Sequence, residues 1–147
     1  MGVLAQAYPG RSIPDDNLTT TKALPAAGAS ATSTAFDTGD NTTGIFPEGV
    51  ALELSCGSTA NLPSAQTITY TVLADTANPP TTALSPSLTF VTTGTAGNGA
   101  ATGSIKWRVP YNAGRYLAIQ ATIGANGGNN TATSFQVRLL GAGTDSN

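Results

Sequence analysis

Apolar and polar residues alternate along most of this chain with a period of two. Over residues 114–123, Leu117, Ile119, Ala121 and Ile123 alternate with Tyr116, Ala118, Gln120 and Thr122. Successive side chains of a pleated strand point to opposite faces, so this pattern predicts a strand with one buried side. The following Gly-Ala-Asn-Gly-Gly-Asn-Asn stretch (124–130) tolerates positive φ, and Ser134–Leu140 opens a second alternating run. The two runs are predicted to form a hairpin at the centre of a sheet. The same alternation sets Val50, Leu52 and Leu54 on one face of residues 50–56. It sets Ile68, Tyr70 and Val72 against Thr67, Thr69 and Thr71, and Ile105, Trp107 and Val109 against Lys106 and Arg108. Three further segments, 18–24, 30–36 and 87–92, are rich in threonine, whose branched Cβ suits a pleated surface. Between these runs lie turn-forming stretches: Pro25–Gly28, Asp37–Gly44, the surroundings of Asn61 and Pro63, Asn78-Pro79-Pro80, 94–103 and Pro110–Gly114.

Seven or eight short strands, with no helical periodicity, predict an all-β fold: a single-domain antiparallel β-sandwich. An immunoglobulin domain would carry paired cysteines around a tryptophan, and this chain does not. Connections longer than two residues suit a jelly-roll-like topology. Residues 1–17 are interrupted at Pro9-Gly10 and Pro14-Asp15-Asp16. They read as an extended N-terminal arm, with Tyr8 and Ile13 as anchors where it lies on another surface. The sandwich is expected over 18–141, followed by a flexible C-terminal tail at 142–147. A domain of 147 residues buries about 68–70% of its unfolded surface, enough for a core without staples.

Charged residues make up 10% of the chain, with a net charge of -2. That leaves no clustered cations to grip nucleic acid and no polybasic membrane surface. Cys56 is the single cysteine and, inside a strand-like run, reads as a small buried hydrophobe. The first residues lack the basic flank and apolar core of a signal peptide, and no apolar run is long enough to cross a bilayer, so a soluble, intracellularly made chain is expected. There is no histidine, the commonest acid, base and metal ligand near neutral pH, so neither enzymatic activity nor a cofactor is expected.

The remaining constellations have plain explanations. Asp37-Thr38-Gly39-Asp40-Asn41 offers oxygen ligands but lacks EF-hand spacing, and reads as a turn. Glu48 and Glu53 could pair as glycosidase carboxylates. Nothing aims them at each other, however, because Glu53 faces outward from its strand and Glu48 lies in a Pro-Glu-Gly turn. Trp107 shares its face with Ile105 and Val109 and reads as core, leaving Tyr111 and Tyr116 as surface aromatics. Asn17, Asn41 and Asn129 match the glycosylation acceptor pattern, as chance allows in so threonine-rich a chain.

Two stretches carry a resemblance. Residues 21–33 (Thr-Lys-Ala-Leu-Pro-Ala-Ala-Gly-Ala-Ser-Ala-Thr-Ser) lead to Phe36-Asp37-Thr38-Gly39, and Gly114-Arg115-Tyr116-Leu117 precedes an alternating strand and a glycine-rich turn. Together they resemble the small cement (decoration) proteins of tailed-bacteriophage heads, over about residues 18–141. The resemblance implies a jelly-roll subunit on the outer surface of the virion that binds the major capsid protein and clamps its neighbouring copies. It also implies self-association, most often as a homo-oligomeric dimer. The longer N-terminal lead and Asn78-Pro79-Pro80 depart from that pattern. On this reading Tyr8 and Ile13 anchor the arm, Arg11 and Arg115 make charged rim contacts, and Tyr111 and Tyr116 are further contact candidates. The competing expectation is a carbohydrate-binding or adhesin module using Tyr111 and Tyr116.

Overall fold

The structure is a computed structural model, and it describes residues 13–38, 51–110 and 113–141. Strands formed where the alternation is cleanest. In chain order they are β1 (Ile13–Ala23), β2 (Ser30–Thr32), β3 (Phe36–Asp37), β4 (Ala51–Cys56), β5 (Thr67–Asp75), β6 (Thr89–Thr93), β7 (Gly103–Arg108), β8 (Tyr116–Ile123) and β9 (Ser134–Gly141). No helix occurs among the described residues. The all-β sandwich is present as two antiparallel sheets, one ordered β1-β9-β4-β7 and the other β2-β8-β5-β6, with β3 also on β8.

The pairing follows one rule. β1 pairs with β9, β2 and β3 with β8, β4 with β7, and β5 with β6. The chain is thus one long hairpin with its tip at β5–β6, and rolling that ribbon adds the β4–β9 and β5–β8 ladders. With β2 and β3 counted as one interrupted strand, this is an eight-stranded jelly roll. The interruption has a local cause. Buried Ser33 accepts the Ile119 N–H on its Oγ at 3.0 Å, while its own N–H donates to Ile119 O at 2.9 Å. A side-chain oxygen thereby takes the place of a ladder carbonyl.

Two expectations change. β8 and β9 do not form a hairpin: they lie in opposite sheets, and residues 124–133 carry the chain across the sandwich. Alternation marks a buried face but cannot tell a strand paired alongside from one stacked opposite. The inner faces meet where the Tyr70 ring (β5) stands edge-on to Phe135 (β9), centroids 5.5 Å apart and planes at 69°. The second change concerns β1, which starts at Ile13, within the stretch read as arm, with Ile13 opposite Gly141. Pro14-Asp15-Asp16 does not end it, because β1 is an edge strand where a missing N–H is tolerated, and the register shifts between Pro14 and Thr19.

The core matches the inward set read from the sequence, except that Ala118, read as outward, is fully buried and Ile105, read as inward, is only partly so. Leu52, Leu54, Ile68, Val72, Leu117, Ile119, Ala121, Phe135 and Val137 are fully buried, and Trp107 is 7% exposed. Each large apolar side chain so placed contributes about 1.5–3 kcal/mol relative to exposure. Cys56 is buried as expected, and its Sγ donates to Gly103 O at 3.2 Å.

Candidate interaction surface

The two residues singled out at the start of β8 come together. Gly114 has φ +127°, and a Cβ there would stand 2.8 Å from the Asp75 amide nitrogen. Only glycine lets the chain pass so close to β5 before turning into β8. Arg115 then lies beside Asp37 of β3, its Nε and Nη2 donating to the two carboxylate oxygens at 2.7 and 2.8 Å. Its guanidinium carbon lies 5.2 Å from the Tyr116 ring centroid. The Thr38 N–H and hydroxyl both donate to the Arg115 carbonyl. Tyr116 sits in register between Asp37 and Asp75. The Thr76 amide at 2.9 Å, with the Thr82 and Thr81 hydroxyls, holds the Asp75 carboxyl below its ordinary value of 3.8.

This cluster is internally paired. The bidentate ion pair is about half exposed, 45% and 47%, and at such a site contributes about 0.2–1 kcal/mol. Asp37, in the stretch that offers oxygen ligands but reads as a turn, is engaged by arginine. Tyr8, Arg11 and Tyr111, together with Glu48 and Gly39–Asn41, lie outside the described residues. Ile13 is placed by its backbone in β1. Glu53 faces outward as expected, at 3.6 Å from Lys106 Nζ and 3.7 Å from Arg138 Nη1.

A surface the sequence reading missed is the edge of the second sheet. A sheet edge presents unpaired N–H and C=O groups, and proteins block such edges with charges, prolines, bulges or very short strands. Three of the four edges here carry such a device. β1 has Pro14 and a register shift, β7 has Lys106, and β2 and β3 are only three and two residues long. β6 has none: its sequence is Thr-Phe-Val-Thr-Thr, without charge, proline or break. Val91 at its centre is 48% exposed, the exposed large hydrophobic residue among those described. It lies in register with Thr69 of β5 and, beyond that, Thr122 of β8. The outer face of this sheet is hydroxyl-coated and self-bonded at two places: the Ser30 and Thr122 hydroxyls lie 2.9 Å apart, and Gln120 Nε2 donates to Thr32 Oγ1 at 3.2 Å.

No protein-family model matches the chain, and no curated protein matches it. Among solved structures it is similar to the enzymatically active domain of tailspike protein 4 of bacteriophage CBA120, with a TM-score of 0.42 and 15% identity. The match covers 89% of this chain and 16% of that one, so the chain spans a small part of that protein's length. The expectation of a non-enzyme is corrected on this point. The similar structure is described as enzymatically active, and a missing histidine is no ground for exclusion, since carboxylates and tyrosine also move protons. At this TM-score the likeness does not show the present chain to be an enzyme either.

Proposed function

We propose that this chain is a structural, adhesive subunit: a cement protein that docks on the outer surface of a bacteriophage head, bridges neighbouring major capsid subunits and associates with copies of itself. The observation that carries the reading is the undefended β6 edge. In a molecule that protects its other three edges, five uncharged, β-favouring residues around an exposed Val91 suit strand addition by a neighbour. The jelly roll and the resemblance of residues 21–39 and 114–117 support the same reading. Many copies on a symmetric shell need only modest contacts each, because avidity multiplies them, and a clamp that binds only the assembled lattice stabilises it by mass action.

The test is Val91→Lys, which places on β6 the kind of charge that β7 already carries. The purified wild-type chain is expected to run as an oligomer by size exclusion with light scattering, and to co-sediment with the phage heads it decorates. The variant is expected to keep its melting temperature within a few degrees but to run as a monomer and leave the heads bare. A variant that oligomerises and decorates like the wild type would remove β6 from the docking surface.

A further inference from the structure

The outer face of the other sheet has a different character. Thr21 of β1, Gln136 of β9, Ser55 of β4 and Ser104 of β7 stand in register, one after another, across all four strands. Successive side chains in such a row are about 4.7–4.9 Å apart. With Ser134 and Thr102 they line a shallow, open groove of about 670 Å³. None of these six side chains is hydrogen-bonded to another described residue, whereas two pairs on the opposite sheet do bond each other, Ser30 with Thr122 and Gln120 with Thr32. The groove therefore presents five hydroxyls and one amide, uncharged and with donors and acceptors free.

The neighbouring row on the same face is charged. Arg138 and Lys106 flank Glu53 across β9, β4 and β7, and Arg108 follows two residues beyond Lys106. Three of the chain's six cations thus share one face, with Glu53 the one carboxylate among the side chains described there, in a molecule of net charge -2. They are also loosely held. At 3.6 and 3.7 Å their contacts with Glu53 are too long for hydrogen bonds, and Arg108 has no ion-pair partner among the described residues. Arg115 on the other sheet, held by two short bonds to Asp37, shows what an engaged arginine looks like in this fold.

We propose that this face binds an acidic polysaccharide. Sugar hydroxyls would bond to the row of Thr21, Gln136, Ser55 and Ser104, and the carboxylates of the same chain would lie one row away on Arg138, Lys106 and Arg108. A neutral row beside a cationic row, about 6.6–6.8 Å apart along the strands, complements a ligand that carries hydroxyls and negative charge side by side. A purely anionic partner would use the cations and leave the groove empty. The site lies on the sheet that does not contain β6, so it stands or falls apart from the docking edge.

The experiment titrates the full chain with oligogalacturonate, using neutral galactose oligomers of the same length and polyglutamate as comparisons. Oligogalacturonate is expected to bind at least tenfold more tightly than either, and more weakly as salt rises. Gln136→Glu changes little in shape but puts a negative charge in the groove, and should abolish binding. Arg138→Ala should weaken binding at least tenfold, and both variants should retain the wild-type circular dichroism and oligomeric state. No binding of oligogalacturonate at millimolar concentration would overturn the proposal. So would equal binding of polyglutamate that is indifferent to Gln136→Ala, which reduces the face to a basic patch. Equal binding of the neutral oligomers, unchanged by Arg138→Ala, would overturn it as well.

Discussion

Single residues explain why the loops of this sandwich are so particular. Gly128, in the crossing between β8 and β9, has φ +69°, and a Cβ there would lie 2.2 Å from the Asn61 carbonyl oxygen. Gly128→Ala is expected to cost about 2 kcal/mol or more, from the left-handed backbone and the clash together, read as a lower urea midpoint at unchanged slope. Cys56 and Tyr70 bear on stability at alkaline pH. Burial pushes the Cys56 thiol above its ordinary value of 9.0 and the Tyr70 phenol above its ordinary value of 10.0. Each keeps its proton longer folded than unfolded, so their contribution is complete below about pH 9 and is lost as pH rises beyond it. Urea midpoints measured from about pH 8 to about pH 11 should fall, and Tyr70→Phe, which keeps the ring on Phe135, should flatten the decline. The inward identity of such residues was readable in advance: Ile68, Tyr70 and Val72 stand out because threonines separate them. The partnership of Arg115 with Asp37 was not, since 78 residues of chain separate them and nothing local records their meeting.

At the scale of elements, the strands themselves were more legible than their neighbours. Period-two runs located β4, β5, β7, β8 and β9 closely, because a half-buried strand imprints its burial on every second residue. Pairing leaves no such imprint, which is why β8 and β9 read as a hairpin although they lie in opposite sheets. The difference is measurable. Replacing residues 125–130 by a two-residue Asn-Gly turn would tighten a true hairpin; here it should abolish the cooperative thermal transition, because the shortened link cannot cross the sandwich. The β6 edge and the polar groove were hidden for the same reason. An edge exists only once the order of strands is known, and the groove row draws one residue from each of four strands far apart in sequence. Leu54→Ala, at the centre of the β4 ladder, is expected to cost about 2–5 kcal/mol by chemical denaturation, against near-neutrality for an outward threonine such as Thr69.

The whole molecule is a ribbon whose earliest and latest described strands are partners. Such non-local pairing slows folding, because distant segments must meet before their contacts repay the closure entropy. Refolding by dilution from denaturant should therefore take milliseconds to seconds rather than microseconds. Charge is also distributed at this scale. One sheet exposes Lys106, Arg108 and Arg138 around Glu53, while the other carries Asp75 and the Asp37–Arg115 pair at one end, so the described charges are unevenly placed.

The antiparallel partnership of β1 with β9 has a mechanical consequence. Ile13 and Gly141 lie directly opposite each other, so the described chain begins and ends at the same rung of the ladder. A pull applied between them loads one rung at a time, as in a zipper, and never the whole ladder together. A tether to Ile13 and Gly141 would therefore peel this domain open at low force, whereas traction delivered along β6 would have to shear several rungs at once.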